Sequence, residues 1–156
     1  MVHVIPMSET DFQEYRSKSI EEYAQENVKA GNSDPSEALQ QAEQEFQHVF
    51  PQGLASKNQY ICSIQDRGTG SKVGMFWFAV REGPSLAAFI YDFRIYEDYQ
   101  RRGYGTQGLQ ALDEKVKELG INKVVLHVFG HNQAAIALYK KAGYEMVDMR
   151  MAKILG

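Results

Sequence analysis

Scarcity narrows the reading first. The chain has one cysteine, Cys62, among 156 residues. It therefore holds no internal disulfide and no multi-cysteine zinc site. The four histidines stand at positions 3, 48, 127 and 131. Only His127 and His131 have the spacing of a helical metal pair, and the strand-like VVLHV and Gly130 place them on a strand and a loop instead. No metal is expected. Positive charge is not in excess: 17 Lys and Arg stand against 20 Asp and Glu, a net charge of −3. A general nucleic-acid surface carries a basic excess, so no nucleic-acid partner is expected. No apolar run approaches the ~20 residues of a membrane span. The opening MVHVIPMSETDF lacks the basic and apolar regions of a secretory signal. Repeats, linkers and low-complexity segments are missing too. The expectation is one cytoplasmic domain over residues 1–156, with no membrane partner.

What is present is well punctuated. Val2–Ile5 is a short strand candidate closed by Pro6. Ser8 precedes an acidic first turn, the signature of a capped helix start. Phe12, Tyr15, Ile20, Tyr23 and Val28 form a loose helical stripe ending at Gly31. Asp34, Pro35 and Glu37 predict a second helix, with Asp34 as cap, Pro35 at the first position and Glu37 in a capping box. Leu39, Ala42, Phe46 and Val49 give its apolar stripe, and Pro51 and Gly53 end it. The runs QYICSIQ, KVGMFWFAV and SLAAFIYDFRIY then predict three strands, joined by hairpin turns at DRGTGSK and REGPS. Leu109, Leu112, Val116 and Leu119 mark a third helix, ended by Gly120. KVVLHVF reads as a buried strand, HNQAAIALYKKAG as a short helix capped by Asn132, and YEMVDMRMAKIL as a last strand. A strand–helix–strand crossover over residues 86–128 implies parallel pairing, while the preceding meander is antiparallel. The fold class expected is α/β of the α+β type: a mixed, mostly antiparallel twisted sheet flanked by helices.

The chemistry concentrates at QRRGYGTQ, residues 100–107. Glycines there let the backbone turn and expose N–H groups. A helix starting near Gly105 adds unpaired donors and a positive dipole end, a combination suited to phosphate. Arg101 and Arg102 either add attraction or simply face solvent. The run is not a P-loop. Gly103, Gly105 and Gly108 do match the dinucleotide fingerprint, but the hairpin meander upstream belongs to a different architecture.

FIYDFRIYEDYQRRGYGTQGLQALDEKV resembles the acetyl-CoA-binding core of the GNAT superfamily of N-acetyltransferases. Gln100, Gly103 and Gly105 meet the family's [Q/R]-x-x-G-x-[G/A] motif, after a strand ending at Ile95. A second segment, with Asn132, Ala135, Leu138, Tyr139 and Gly143, is similar to N-x-x-A-x-x-L-Y-x-x-x-G-F, with Tyr144 for the usual Phe. The chain looks most like uncharacterised bacterial members. The resemblance implies a GNAT-like fold and direct transfer of acetyl from acetyl-CoA to a primary amine through a tetrahedral intermediate. It implies that the backbone of Phe93, Arg94 and Ile95 pairs with the pantetheine arm. One N–H there would stabilise the oxyanion, a donor worth roughly 3–4 kcal/mol in such sites. The loop N–H groups of Arg101, Arg102, Gly103, Tyr104, Gly105 and Thr106 would hold the pyrophosphate. Asn132 would contact the pantetheine amide region.

Tyr139 fits the family's general acid: a phenol can protonate a departing thiolate. Read from the residues alone, it is a core tyrosine. Asp92 is the first candidate for general base, and a salt pair with Arg94 on the same strand face is the equal alternative. Glu22 and Tyr23 are candidates to line the acceptor site, and Tyr15, Trp77, Phe76 and Phe78 are aromatics that a pocket or the core would use. His127 is expected as a hydrogen-bonded structural histidine. Cys62, inside a strand, reads as a buried thiol rather than a covalent nucleophile. The partner expected is a small-molecule or peptide amine of unknown identity. A homodimer through edge pairing stays open, as does a catalytically silent acetyl-CoA-binding or sensing module.

Overall fold

A computed structural model describes residues 1–156. The strands are β1 (Val2–Pro6), β2 (Gln59–Asp66), β3 (Lys72–Arg81), β4 (Ala87–Ile95) and β5 (Val124–Leu126). The helices are α1 (Glu9–Lys29), α2 (Ala38–Val49), α3 (Tyr104–Glu118) and α4 (Gln133–Lys141). The sheet runs in sequence order, β1 to β5. The first four strands pair antiparallel and β5 joins β4 in parallel. The mixed, mostly antiparallel sheet is thus as the sequence leads one to expect.

Helices cover both faces of the sheet. On one face, Cys62, Ile64, Phe76, Phe78, Ala88 and Ile90 pack against Leu112 and Val116 of α3. On the other, Ile61 and Met75 pack against Phe12 of α1 and Phe50 just past α2. Fully burying one such aromatic or aliphatic side chain stabilises by about 1.5–3 kcal/mol. α1 and α2 also seal each other through Ile20, Ala24, Ala38 and Ala42. Phe76 and Phe78 are fully buried and belong to the core.

One irregularity in β4 places the site. Trp77 of β3 pairs with Asp92, but the next residue, Phe78, pairs with Ile90. Tyr91 is therefore an extra residue, a β-bulge, and the side-chain alternation changes phase there. Ala88 and Ile90 face α3 upstream of it, whereas Phe93 and Ile95 do so downstream. Asp92 and Arg94 consequently turn to the α1 face. Beyond Ile90 no strand covers the outer edge of β4, because β5 pairs only with Ala88–Ile90.

Local signals were mostly followed. Ser8 caps α1, accepting from Asp11 N–H at 3.1 Å. Asn132 caps α4, accepting from Ala135 N–H at 3.2 Å. The start of α2 differs. Asp34 accepts from the N–H and hydroxyl of Ser36, which closes a turn, and regular helix begins only at Ala38. Ala38 and Ala42 are buried while Leu39 lies exposed, because small residues suit the close approach of α1. KVVLHVF yields only three residues of strand, since β4 leaves β5 at the bulge and residues 127–129 have no neighbour. The last strand expected at 144–155 is not formed: residues 145–156 are irregular and exposed. The alternating pattern is there, but no sheet edge of this chain pairs with it.

Candidate active site

The loop between β4 and α3 presents a row of unclaimed donors. The backbone N–H groups of Arg101 through Thr106 meet no backbone acceptor, and the first claimed is that of Gln107, which donates to Gly103 O at 3.3 Å. No side chain caps α3. Successive free N–H groups at a helix N-terminus form an anion-binding concavity. Arg101 and Gly103 adopt left-handed backbone, at φ 65° and 81°. The other two glycines act by closeness. A β-carbon on Gly105 would stand 3.3 Å from Leu138 of α4, and one on Gly108 would stand 3.0 Å from Ile64 and 3.1 Å from Phe93.

Side chains brace this loop from both sides. Gln100 donates through Nε2 to the Ile95 carbonyl at 3.0 Å. Tyr104 donates its hydroxyl to Asp66 Oδ2 at 2.6 Å. Asp66 Oδ1 accepts from Gly68 N–H at 2.7 Å and Thr69 N–H at 3.0 Å. The Tyr104 bond, followed by these amides, holds the Asp66 carboxyl at about 2. The Arg101 and Arg102 side chains are exposed; Arg102 lies 5.8 Å over the Tyr99 ring.

The second half of the site is made of side chains on β4 and α1. Tyr15 donates to Asp92 Oδ2 at 2.7 Å. Arg94 reaches the same oxygen through Nη2 at 2.7 Å and Oδ1 through Nε at 3.3 Å. Its guanidinium stands 5.8 Å over the Tyr15 ring. Burial, then the Asp92 charge, pushes the Tyr15 phenol far above its usual range. Burial lowers the Arg94 pKa, but Asp92, with Tyr15 and Glu22, outweighs it and leaves the pKa raised. Tyr23 does not join this group: it faces Glu45 of α2, whose carboxylate, more than burial, raises its phenol. Trp77 stacks on Tyr91 at 4.7 Å and bonds Gln59 Oε1 at 2.7 Å.

Tyr139 lies half-buried on α4. Burial raises its pKa, and the Asp92 charge adds to that, which keeps the phenol protonated. Ala135 and Leu138 share its half-buried face. His127 is exposed and hydrogen-bonds nothing in the protein; it meets Phe129 edge-on at 5.1 Å. The expectation of a bonded structural histidine is overturned, because β5 ends before it. Cys62 is buried in the α3-side core, its thiol pushed up by burial to about 11.

Two contacts of the candidate site escaped the sequence. Tyr15 and Asp92 are 77 residues apart, and no local pattern links them. The Asp66 brace had a partial signal, since Asp-x-Gly-Thr is the spacing with which a carboxylate caps its own turn.

Residues 17–144 match the acetyltransferase (GNAT) family. The chain belongs to that family. Over 150 residues it is 37% identical to the uncharacterised N-acetyltransferase YdgE of Bacillus subtilis, covering 96% of this chain and 95% of that one. It is 38% identical over 155 residues to YycN of the same organism, with 99% of each covered. The YycN crystal structure superposes with a TM-score of 0.83 at 37% identity, over 99% of both chains. An aminoglycoside 6′-N-acetyltransferase from Acinetobacter baumannii shares the fold, with a TM-score of 0.58 at 15% identity, over the whole of both chains. The GNAT protein described here is an acetyl-CoA-dependent N-acetyltransferase. No helix in it is long and apolar enough to cross a membrane. Its free loop donors suit a diphosphate, and the uncovered edge of β4 suits an amide-bearing arm laid alongside.

Proposed function

We propose that the chain acetylates a primary amine held between α1 and the downstream half of β4. The observation that carries this reading is one juxtaposition. A row of free N–H donors heads α3, beside an uncovered β4 edge on the strand that carries Asp92, and α4, which carries half-buried Tyr139, packs its Leu138 against Gly105 of the loop.

The roles follow from what each atom has left to give. The N–H groups of Arg101–Thr106 hold the pyrophosphate of acetyl-CoA, and the outer edge of Phe93, Arg94 and Ile95 holds the pantetheine. Gln100 acts indirectly, by fixing the Ile95 carbonyl. The amine nitrogen bonds to the acetyl carbon and the carbon–sulfur bond breaks. Tyr139 gives its proton to the departing sulfur. Asp92 takes the proton that the amine loses. Its Oδ2 is already shared by Tyr15 and Arg94, so Oδ1, with only the longer Arg94 contact, faces this task. Glu22 adds negative charge that attracts a cationic acceptor. Asn132 orders the start of α4 and contributes its remaining amide to the pantetheine.

The test is acetyl-CoA consumption, read as thiol release, with a panel of polyamines, aminoglycosides, amino acids and peptide N-termini. Turnover with at least one class, lost in Tyr139→Phe, is the expected result. Tight acetyl-CoA binding with no turnover on any amine overturns the reading and leaves a binding module.

A further inference from the structure

The sheet face that carries Asp92 also carries an arginine with no acidic partner. Met75 and Trp77 turn to the α1 side of β3, and by alternation so do Ala79 and Arg81. Arg81 is exposed at the end of the strand. Its guanidinium lies 4.2 Å over the Phe89 ring and 5.1 Å over the Tyr91 ring. Its Nη2 donates to the Tyr91 hydroxyl, which leaves Nε and Nη1 free. The ion pairs of the chain are Lys72 with Asp11 and Arg94 with Asp92, so no carboxylate answers the Arg81 charge.

This guanidinium is both held and well placed. An arginine loose in water carries about 2 kcal/mol of rotamer entropy that a ligand must remove. Here the Phe89 ring beneath the planar head and the Tyr91 hydroxyl beside it have already fixed it, and preorganised donors cost less to engage. Tyr91 is itself fixed, stacked on Trp77 at 4.7 Å, and Trp77 is tied to Gln59 Oε1 at 2.7 Å. Tyr91 precedes Asp92 in the chain, and Trp77 stands opposite Asp92 in the ladder. A shelf of rings therefore runs from the free guanidinium to the carboxylate. Trp77 and Arg81 are four residues apart, about 13 Å along a strand. The Arg81 side chain reaches back over Phe89 to Tyr91, so the gap between the two charges is shorter than that. Arg94, on the same face, already spends Nε and Nη2 on Asp92. The unspent fork is that of Arg81, and such a fork matches the oxygens of a carboxylate or a phosphate.

We propose that the amine acceptor also carries an anionic group, a carboxylate or a phosphate, which Arg81 binds while the amine lies at Asp92. This rests on the acetyl transfer proposed above. The rings of Phe89, Tyr91 and Trp77 support the carbon body between the two charges. The acceptor is thus an amino acid or an amino phosphate rather than a polyamine, whose second ammonium would meet the like charge of Arg81.

Thiol release with four amines of matched length tests this: ε-aminocaproate, aminopentyl phosphate, n-hexylamine and hexamethylenediamine. At least one anionic amine exceeds n-hexylamine about tenfold or more in kcat/KM, as expected for a charged hydrogen-bonded pair. The diamine falls below both anionic amines. Arg81→Gln brings the anionic advantage to within about threefold of none, and Arg81→Lys keeps part of it, because a point charge lacks the fork. Whichever anion leads, carboxylate or phosphate, supports the proposal and names the group. A second measurement needs no turnover. Trp77 is the only tryptophan, and it stacks on the ring that holds Arg81. The better of the two anionic amines changes its fluorescence saturably, and Arg81→Gln raises that dissociation constant about tenfold. Equal use of the four amines, a preference for the diamine, or an anionic preference that survives Arg81→Gln overturns the proposal. The two readings fail separately. Turnover with a titration indifferent to Arg81 removes the anion subsite and leaves acetyl transfer standing. An Arg81-dependent titration with no turnover on any amine removes acetyl transfer and leaves the subsite.

Discussion

On the function proposed above, the cofactor side and the acceptor side of the site are built from different materials. The cofactor side is backbone: consecutive N–H groups of one loop, left free because a helix starts there. The acceptor side is side chain: Tyr15, Glu22, Asp92 and Arg94, drawn from a helix and a strand far apart in sequence. A backbone site depends on conformation and tolerates changes of exposed side chains. A side-chain site depends on identity and can be altered one group at a time. The contrast fits a protein with a constant donor substrate and an acceptor that differs between relatives.

Four experiments break or sharpen the contrast, taken from the largest expected effect to the smallest. Tyr139, the proposed general acid, comes first: Tyr139→Phe should lower kcat about 100-fold, the lower range for general acid catalysis, with the KM for acetyl-CoA little changed in steady-state kinetics. On the cofactor side, Gly103→Val forces a β-branched residue into left-handed backbone, a strain of about 1–3 kcal/mol, and should raise the KM for acetyl-CoA tenfold or more. Arg102→Ala should move it less than about threefold, as for an exposed charge. If the arginine change does more damage than the glycine change, the cofactor side is not built of backbone. On the acceptor side, Asp92→Asn keeps the shape and removes the charge. It should reduce kcat/KM for the amine about tenfold, the loss of roughly one charged hydrogen bond, while titration calorimetry finds acetyl-CoA affinity unchanged.

The smallest effect is a pH dependence of the brace beneath the loop. The Asp66 carboxyl sits at about 2 when folded, against an ordinary value of 3.8. A depressed folded pKa means that the carboxylate stabilises the fold fully above the ordinary value. That contribution fades as the pH falls from 3.8 towards 2. Melting temperatures measured down this window should drop for the wild type and drop less for Asp66→Asn. An identical slope in the variant removes Asp66 from the account.

The difference in materials also explains what was legible in the sequence. A backbone site announces itself locally, through Gln100, Gly103, Gly105 and the helix that follows, so the loop could be read directly. The glycines nevertheless divide their work in a way spacing does not reveal. Gly103 supplies a left-handed turn, whereas Gly105 and Gly108 make room for Leu138, Ile64 and Phe93. The sequence placed Asp92 and Arg94 together on one strand and left open whether they pair. They do, and Tyr15 joins them, which only the packing of α1 on β4 decides. Tyr23, next to Glu22 in the chain, points to α2 because neighbours on a helix diverge by roughly 100°. The last strand was misjudged for a related reason. An alternating pattern specifies a face, but a strand also requires an edge to pair with, and this chain offers its arm none.

The bulge at Tyr91 acts on β4 as a frameshift acts on a message. Upstream of it, even-numbered residues are read by the hydrophobic core; downstream, odd-numbered ones are. One extra residue thereby lets a single strand serve two readers, the core at its start and the chemistry at its end. Deleting Tyr91 would leave Asp92 directly after Ile90 and so keep both faces as they are, whereas flattening the bulge with Tyr91 retained would carry Asp92 and Arg94 into the α3-side core and turn Phe93 out to α1. Relatives of this chain are therefore best aligned across β4 from its two ends inward, with the gap, where there is one, placed at the bulge.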